Sequence, residues 1–196
     1  MKLELEIVDL LARNKEKNFS INEIAKTLGA YYSFVHKTVN KLTKDKVIKK
    51  SKAGKSHLCS LNLDNEKTAT LIQMGEIEKR EKFYNANKEL KLILDDFVKS
   101  ALDCNNISAI VLFGSYSKGI AMKESDIDIL IISRGKIDVE KITKEIYAKY
   151  GKEINAIILT QNDFKKQKNE PAIKELIKDH HVLYGAENFV SMVFRK

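Results

Sequence analysis

Two apolar runs with a polar segment between them constrain the fold of this chain most strongly. The runs cover residues 107–113 and 127–132, and each is rich in aliphatic side chains and has the length of one β-strand. The segment between them begins with Gly-Ser, and Asp-Ile-Asp spans the start of the second run. This order predicts a polar site at one end of a small sheet.

The two acids of this motif, Asp126 and Asp128, are two residues apart. Because side chains alternate along a strand, both should point to the same side of the sheet. Two neighbouring carboxylates repel each other unless a positive charge lies between them. Mg²⁺ prefers oxygen ligands and retains bound phosphates, so the pair predicts a site for this ion.

The Gly-Ser turn supplies the complementary half of the site. A glycine at position 114 lets the backbone approach a ligand closely. Ser115 can offer backbone N–H groups and its hydroxyl to a phosphate. The motif therefore predicts a metal on one side and a phosphate group on the other.

The spacing within the motif resembles a known family. Ten residues, 116–125, separate Ser115 from Asp126, and Ser-Asp-Ile-Asp-Ile covers 125–129. This arrangement resembles the nucleotidyltransferase superfamily of DNA polymerase β, in particular its minimal nucleotidyltransferase branch. The pattern of that branch is Gly-Ser, a spacer of this length, then Asp-x-Asp at the head of a strand. Lys118 and Gly119 match the basic residue and glycine that often follow Gly-Ser.

The resemblance implies roles for individual residues. Asp126 and Asp128 would be catalytic and would ligate Mg²⁺. The nucleoside triphosphate, with ATP as the default donor by analogy, would be held by Gly114, Ser115 and Lys118.

The family usually has a third carboxylate on the strand after the intervening helix, where it ligates metal and serves as general base. Here that strand begins Glu153-Ile154-Asn155, and the best alignment puts Asn155 at the acid position. Glu153 lies two residues earlier on the same face, so a shifted register would make it the catalytic acid. Loss of a general base costs about 10²–10⁴-fold in rate, so the motif predicts nucleotide binding but does not predict fast transfer.

The first 63 residues have a different pattern. Apolar spacing predicts a helix over 2–14, and Ser20 with Glu23 predicts a capping box that begins a second helix ending at Gly29. A third helix should cover 32–44, and two short strand-like runs follow around a basic hairpin. Three helices and a hairpin resemble a winged helix-turn-helix domain, which would place the third helix in the major groove of DNA.

On that resemblance, double-stranded DNA is the expected partner of the N-terminal part. Residues 1–63 hold 13 Lys and Arg against 6 Asp and Glu, so most of the net charge of +8 lies there. The alternative is a solvated lysine face on a protein-docking module. The predicted DNA contacts are His36, Lys37, Asn40, Lys41, Lys50, Lys52 and Lys55.

The remaining chain predicts a connector and an α+β domain. Residues 64–102 should form one long helix, or two helices broken near Gly75. The C-terminal strands alternate with helices, which predicts an α/β sandwich with a small mixed sheet. The expected domains are a winged helix-turn-helix at 1–63, a helical connector at 64–102 and a polymerase-β-like nucleotidyltransferase at 103–196.

Three functions are compatible with this organisation. The leading hypothesis is a DNA-binding, Mg²⁺-dependent nucleotidyltransferase that passes AMP from ATP to a hydroxyl. The second is a transcriptional regulator whose transferase domain is a nucleotide sensor or a relic. The third is a toxin–antitoxin antitoxin with a partner protein, and a homodimer would suit any DNA reader.

Composition excludes other classes. No stretch approaches the ~20 apolar residues of a membrane span, and acids in the first six residues argue against a signal peptide. Cys59 and Cys104 stand apart from each other, which predicts buried, reduced thiols in a cytoplasmic protein.

Overall fold

The structure, a computed structural model, describes residues 2–54 and 56–194. The chain separates into two compact units. The first is Met1–Glu78 together with Phe194–Lys196, and the second is Lys79–Val193.

The first unit contains three helices and a three-stranded sheet. The helices are α1 (Leu3–Arg13), α2 (Ile21–Leu28) and α3 (Tyr32–Lys44). The strands are β1 (Phe19–Ser20), β2 (Ile48–Ala53) and β3 (Ser56–Leu61), in the antiparallel order β1-β3-β2. Each helix buries an aliphatic stripe in a shared core that includes Ile7, Ile24, Val39 and Leu42.

Local sequence signals set the ends of α2, as predicted. The Ser20 hydroxyl accepts a hydrogen bond from the Glu23 backbone N–H, and a Glu23 carboxylate oxygen accepts one from the Ser20 backbone N–H. Gly29 ends the helix in the left-handed conformation at φ 60°. The predicted capping box and glycine C-cap are confirmed.

The connector breaks at a different place from the one predicted. Helix α4 (Glu66–Ala86) continues through Gly75, and α5 (Lys88–Leu102) begins after a break at Asn87. One internal glycine costs a helix only about 1 kcal/mol relative to alanine, which packing can offset. Asn87 has non-helical backbone angles, and its side-chain amide donates to the Phe83 carbonyl. Such local side-chain bonding competes with the helix ladder.

The second unit is built around a four-stranded mixed sheet. Its strands are β4 (Ile107–Phe113), β5 (Ile127–Ser133), β6 (Ile154–Thr160) and β7 (His181–Tyr184), in the order β6-β5-β4-β7. Strand β4 is antiparallel to β5 and β7, while β5 and β6 are parallel. The predicted α+β fold with a small mixed sheet is confirmed for this part of the chain.

Helices complete the second unit. They are α6 (Gly114–Ser117), α7 (Glu140–Tyr150), α8 (Gln161–Gln167), α9 (Pro171–Lys178) and α10 (Ala186–Phe194). One sheet face, with Leu112, Ile127 and Ile129, packs in a core that also contains Phe97 of α5 and Ile146 of α7. Cys59 is buried as predicted, whereas Cys104 is half-buried.

Candidate functional site

The site forms where β4 ends and β5 begins. These strands are antiparallel, and Phe113 pairs with Asp128, so the residue after β4 lies against the head of β5. Gly114 has a φ of 74°, and a Cβ on it would lie 2.1 Å from Asp128 Oδ2. Only glycine fits both the backbone angle and the space, which explains the first residue of the motif.

The two motif acids lie at the head of β5. Asp126 directly precedes the strand and is exposed, and Asp128 is half-buried. Between them Ile127 is fully buried, so its neighbours face away from the core. Asp128 therefore points to the opposite side of the strand from Ile127 and Ile129. Asp126 precedes the strand, so the shared side of the two acids stays a prediction.

Asn155 lies beside Asp128 at the predicted third-acid position. The parallel register of β5 and β6 pairs Asp128 with Asn155. The Asn155 side-chain Nδ2 donates to Asp128 Oδ1 at 3.1 Å. A carboxamide thus stands beside the motif carboxylate, where it donates a hydrogen bond and carries no charge.

Glu153 lies just before β6 and is exposed. Its backbone carbonyl accepts a hydrogen bond from Ile127 N–H at 2.9 Å, so its main chain is fixed beside the motif acids. Within residues 2–54 and 56–194, no group of three or more His, Cys, Asp or Glu side chains gathers at metal-binding distance. The structure brings Asp128 and Asn155 into hydrogen-bonding contact, whereas Glu153 is exposed to solvent.

The Gly-Ser half of the motif, which is predicted to bind phosphate, forms the short helix α6. Ser115 is half-buried in it, and its carbonyl accepts from Ile120 N–H at 3.1 Å. Ser117 Oγ lies 2.9 Å from the carbonyl oxygens of both Gly114 and Asp179. These bonds hold the turn in a fixed shape next to Asp128.

Lys118, the predicted phosphate contact, is already paired. Its Nζ lies 3.0 Å from Glu175 Oε1 on α9. The hydrogen bond from Lys118 and its positive charge lower the pKa of the Glu175 carboxyl. A nucleotide phosphate at Lys118 would therefore compete with Glu175.

Sequence reasoning missed Lys152, which is half-buried next to Glu153. Its Nζ donates to the Tyr116 hydroxyl at 3.0 Å and to the Lys123 carbonyl, and it lies 5.8 Å from the centre of the Tyr116 ring. Lys152 thus ties the start of β6 to α6 and to the loop before Asp126. A contact across 36 positions leaves no periodic signal, so only the fold could show it.

The predicted nucleic-acid contacts occupy the exposed side of α3 and the neighbouring hairpin. His36, Lys37, Asn40 and Lys41 are exposed, as is Lys52 on β2. Lys55 lies outside the described residues. A hydrogen bond joins α3 to β2 on this surface, because Lys50 Nζ donates to Asn40 Oδ1 at 2.5 Å.

Lys41 differs from the other predicted contacts because it forms an ion pair with Glu4 at 3.0 Å. The hydrogen bond and charge of Glu4 raise the pKa of the Lys41 ammonium. Lys41 therefore has a protein partner as well as solvent exposure.

Comparison with known proteins identifies the family of the second unit. Residues 96–188 match the family described as "Polymerase beta, Nucleotidyltransferase". The Methanocaldococcus jannaschii protein named "Putative protein adenylyltransferase MJ1305" is 30% identical over 112 residues, which cover 52% of this chain and 76% of that protein. A second protein of that organism, "Putative protein adenylyltransferase MJ0604", is 39% identical over 79 residues, covering 40% and 79%.

The chain belongs to the polymerase beta nucleotidyltransferase family. Among solved structures, it is similar to a "toxin-antitoxin with AMP-PNP", with 20% identity, a TM-score of 0.39, and coverage of 56% of this chain and 80% of the other. In the part of the chain that the structure describes, no helix is both long and apolar enough to cross a membrane.

Proposed function

We propose that the second unit transfers a nucleoside monophosphate from a nucleoside triphosphate to a hydroxyl acceptor. The observation that carries this proposal is the contact between Gly114 and Asp128, which joins the phosphate turn to the acid strand. The two halves of the family motif thereby form one surface. The names of the two Methanocaldococcus jannaschii relatives support AMP as the transferred group and ATP as the donor.

The donor set at this surface fits Mg²⁺. This ion is commonly held by one or two carboxylates, with waters and substrate phosphates completing an octahedron. Asp126, which is exposed, and Asp128, which is half-buried, are two such carboxylates at the head of β5, and we propose them as its ligands. When bound there, Mg²⁺ would neutralise phosphate charge.

The remaining roles follow from the side chains in place. Gly114 and Ser115 would hold the terminal phosphates, and Lys118 would neutralise their charge after leaving Glu175. The acceptor oxygen would form a bond to the α-phosphorus while the bond to the bridging oxygen breaks, and pyrophosphate leaves with that electron pair. Positioning of the two reactants would supply most of the rate.

The reaction also requires a group that takes up the proton of the acceptor hydroxyl. A carboxamide cannot take up a proton as a carboxylate does, so Asn155 cannot be the general base. We propose Glu153, exposed two residues earlier, as the proton acceptor. It lies outside the register that pairs residue 155 with Asp128, so it would serve less well than an acid at 155. We therefore propose firm nucleotide binding with slow transfer.

The first test is calorimetric binding of ATP and the other nucleoside triphosphates to the full chain, with and without Mg²⁺. The matched variant is Asp126→Asn combined with Asp128→Asn, which keeps the shape and removes the charge. We expect metal-dependent binding to the wild type and its loss in the double variant. If the folded wild type binds none of these nucleotides, the proposal is wrong.

We also propose that the first unit is a winged helix-turn-helix that binds nucleic acid. Its three helices followed by a two-stranded hairpin match the pattern expected of this fold, which supports the proposal. The exposed groups on α3 and the joined Asn40–Lys50 pair support contact with a polyanion. We also propose three functional parts, which are the winged helix-turn-helix at 1–63, the helical connector at 64–102 and the nucleotidyltransferase at 103–196.

The salt dependence of nucleic-acid binding by the full chain tests the nucleic-acid proposal. Phosphate contacts release counterions, so the logarithm of affinity should fall linearly with the logarithm of salt concentration. Binding that survives the double aspartate variant would favour a regulator, and a stable complex with a separate protein would favour an antitoxin. Salt-independent or absent binding of all nucleic acids would contradict the proposal.

A further inference from the structure

Three aromatic rings are exposed at the start of α3. Tyr31, Tyr32 and Phe34 are 80%, 51% and 62% exposed. Tyr31 and Phe34 pack edge to face with ring centres 6.3 Å apart, so they form a joint apolar surface. Clustered exposed aromatic rings commonly mark an interaction site.

A cavity adjoins this aromatic cluster. Its volume is about 340 Å³, which is within the range of about 300–1,000 Å³ for small-ligand sites. One wall is the Tyr32 ring, which stacks on the His36 ring at 5.7 Å with an angle of 24° between their planes. The other lining residues are Ser20, Ile21, Asn22, Lys50 and His57.

The charge of the surroundings selects an anionic occupant. The seven described lining residues include Lys50 and two histidines, and none of the seven is acidic. Lys37 and Lys52 of the same unit are also exposed. Basic residues outnumber acidic ones in this part of the chain. The occupant should therefore combine negative charge with a planar apolar face.

We propose that this cavity takes an unpaired nucleotide of a single-stranded nucleic acid, with the base on Tyr32 and a phosphate at Lys50. A single strand offers base faces to aromatic side chains and a backbone to cations. In a duplex those faces are stacked on one another, and only base edges reach the grooves. The inference rests on the nucleic-acid part of the proposed function and replaces its expected double-stranded partner.

The test compares a short labelled DNA strand of mixed sequence with the same strand annealed to its complement. Fluorescence anisotropy with the full chain would measure both affinities at fixed salt. We expect tighter binding of the single strand, and Tyr32→Ala should weaken it by about fivefold to 150-fold, the value of one stacked base. Tyr32→Phe keeps the ring and should retain affinity close to wild type.

A second measurement reports on stacking itself. The chain has no tryptophan, so Tyr32→Trp would introduce a single indole reporter. Its emission should be quenched by the single strand and much less by the duplex. Tyr147→Ala, at a ring 59% exposed in the second unit, is the control for loss of a surface aromatic. Circular dichroism would establish that each variant is folded.

Two outcomes would overturn the inference. Equal or tighter binding of the duplex, with the same dependence on Tyr32, would mean that α3 reads a groove, and the broader nucleic-acid proposal would stand. Binding of neither probe by the folded chain would defeat both proposals and make the aromatic cluster a protein-docking surface.

Discussion

Asn155 donates a hydrogen bond from Nδ2 to Asp128 Oδ1 across 3.1 Å, in register between two parallel strands. This contact puts an amide where the family alignment expects an acid. It orients one motif carboxylate, but it supplies neither a negative charge for a cation nor a site for a proton.

Replacing this amide by an acid should raise activity. We expect Asn155→Asp to increase Mg²⁺-dependent AMP transfer by about a hundredfold or more, since general-base catalysis contributes about 10²–10⁴-fold. Release of pyrophosphate from ATP would measure it. Asn155→Ala removes the same hydrogen bond without adding an acid and should give no increase.

The same variant has a readout that does not need the acceptor. A carboxylate at 155 would face Asp128 closely and repel it without a cation. Mg²⁺ should therefore raise the melting temperature of Asn155→Asp more than that of the wild type, because a ligand that binds the native state stabilises it. An equal response of both proteins would argue against a metal site here.

Gly114 should tolerate alanine much less well than Gly119. Both have a left-handed φ, 74° and 69°, but a Cβ at 114 meets Asp128 Oδ2 at 2.1 Å, whereas one at 119 meets no described atom within 4 Å. Gly119→Ala should cost about 1–2 kcal/mol of unfolding free energy from backbone strain. Gly114→Ala should cost more and also weaken nucleotide binding. Urea unfolding of the pair would check this, and equal losses would contradict the close approach.

Glu175 should compete with nucleotide for Lys118. Glu175→Gln frees the lysine, so we expect nucleotide affinity to rise by at most about fivefold, because an exposed ion pair contributes about 0–1 kcal/mol. Lys118→Gln should lower the affinity. Glu140→Gln, which breaks the Lys144–Glu140 pair, is a control that should leave it unchanged. A lower affinity in Glu175→Gln would give Glu175 a supporting role instead.

Asp96 should make stability depend on acid pH. Its Oδ2 lies 2.5 Å from both Lys149 Nζ and the Tyr150 hydroxyl, and these hydrogen bonds, with the Lys149 charge, lower the pKa of the Asp96 carboxyl. The folded state then favours the ionised form. The stabilisation is present above the usual pKa of 3.8 and is lost as pH falls through the lower folded value.

Thermal unfolding of Asp96→Asn across this range would measure the effect. The wild type should be more stable at neutral pH, and the difference should shrink in acid. Glu145→Gln, which breaks the exposed Lys141–Glu145 pair within α7, should show a smaller difference. A gap that stays constant with pH would contradict the assignment.

The local features of the sequence were sufficient for much of the fold. Apolar runs gave strand β4 with its observed bounds and the start of β5, and Ser20, Glu23 and Gly29 gave the ends of α2. The break at Asn87 was missed because a glycine at 75 is the stronger local signal for a helix end. The structure instead breaks the connector at Asn87, whose side chain bonds to the Phe83 carbonyl.

The candidate site likewise combines features that the sequence predicted with contacts that only the tertiary structure shows. The sequence determined the Gly-Ser turn and the acid pair, because these depend on neighbours along the chain. The tertiary structure alone decided that Asn155 bonds Asp128, that Glu175 holds Lys118, and that Lys152 reaches Tyr116. Those contacts join residues 27, 57 and 36 positions apart, and strand register and helix packing, which no local pattern encodes, bring them together.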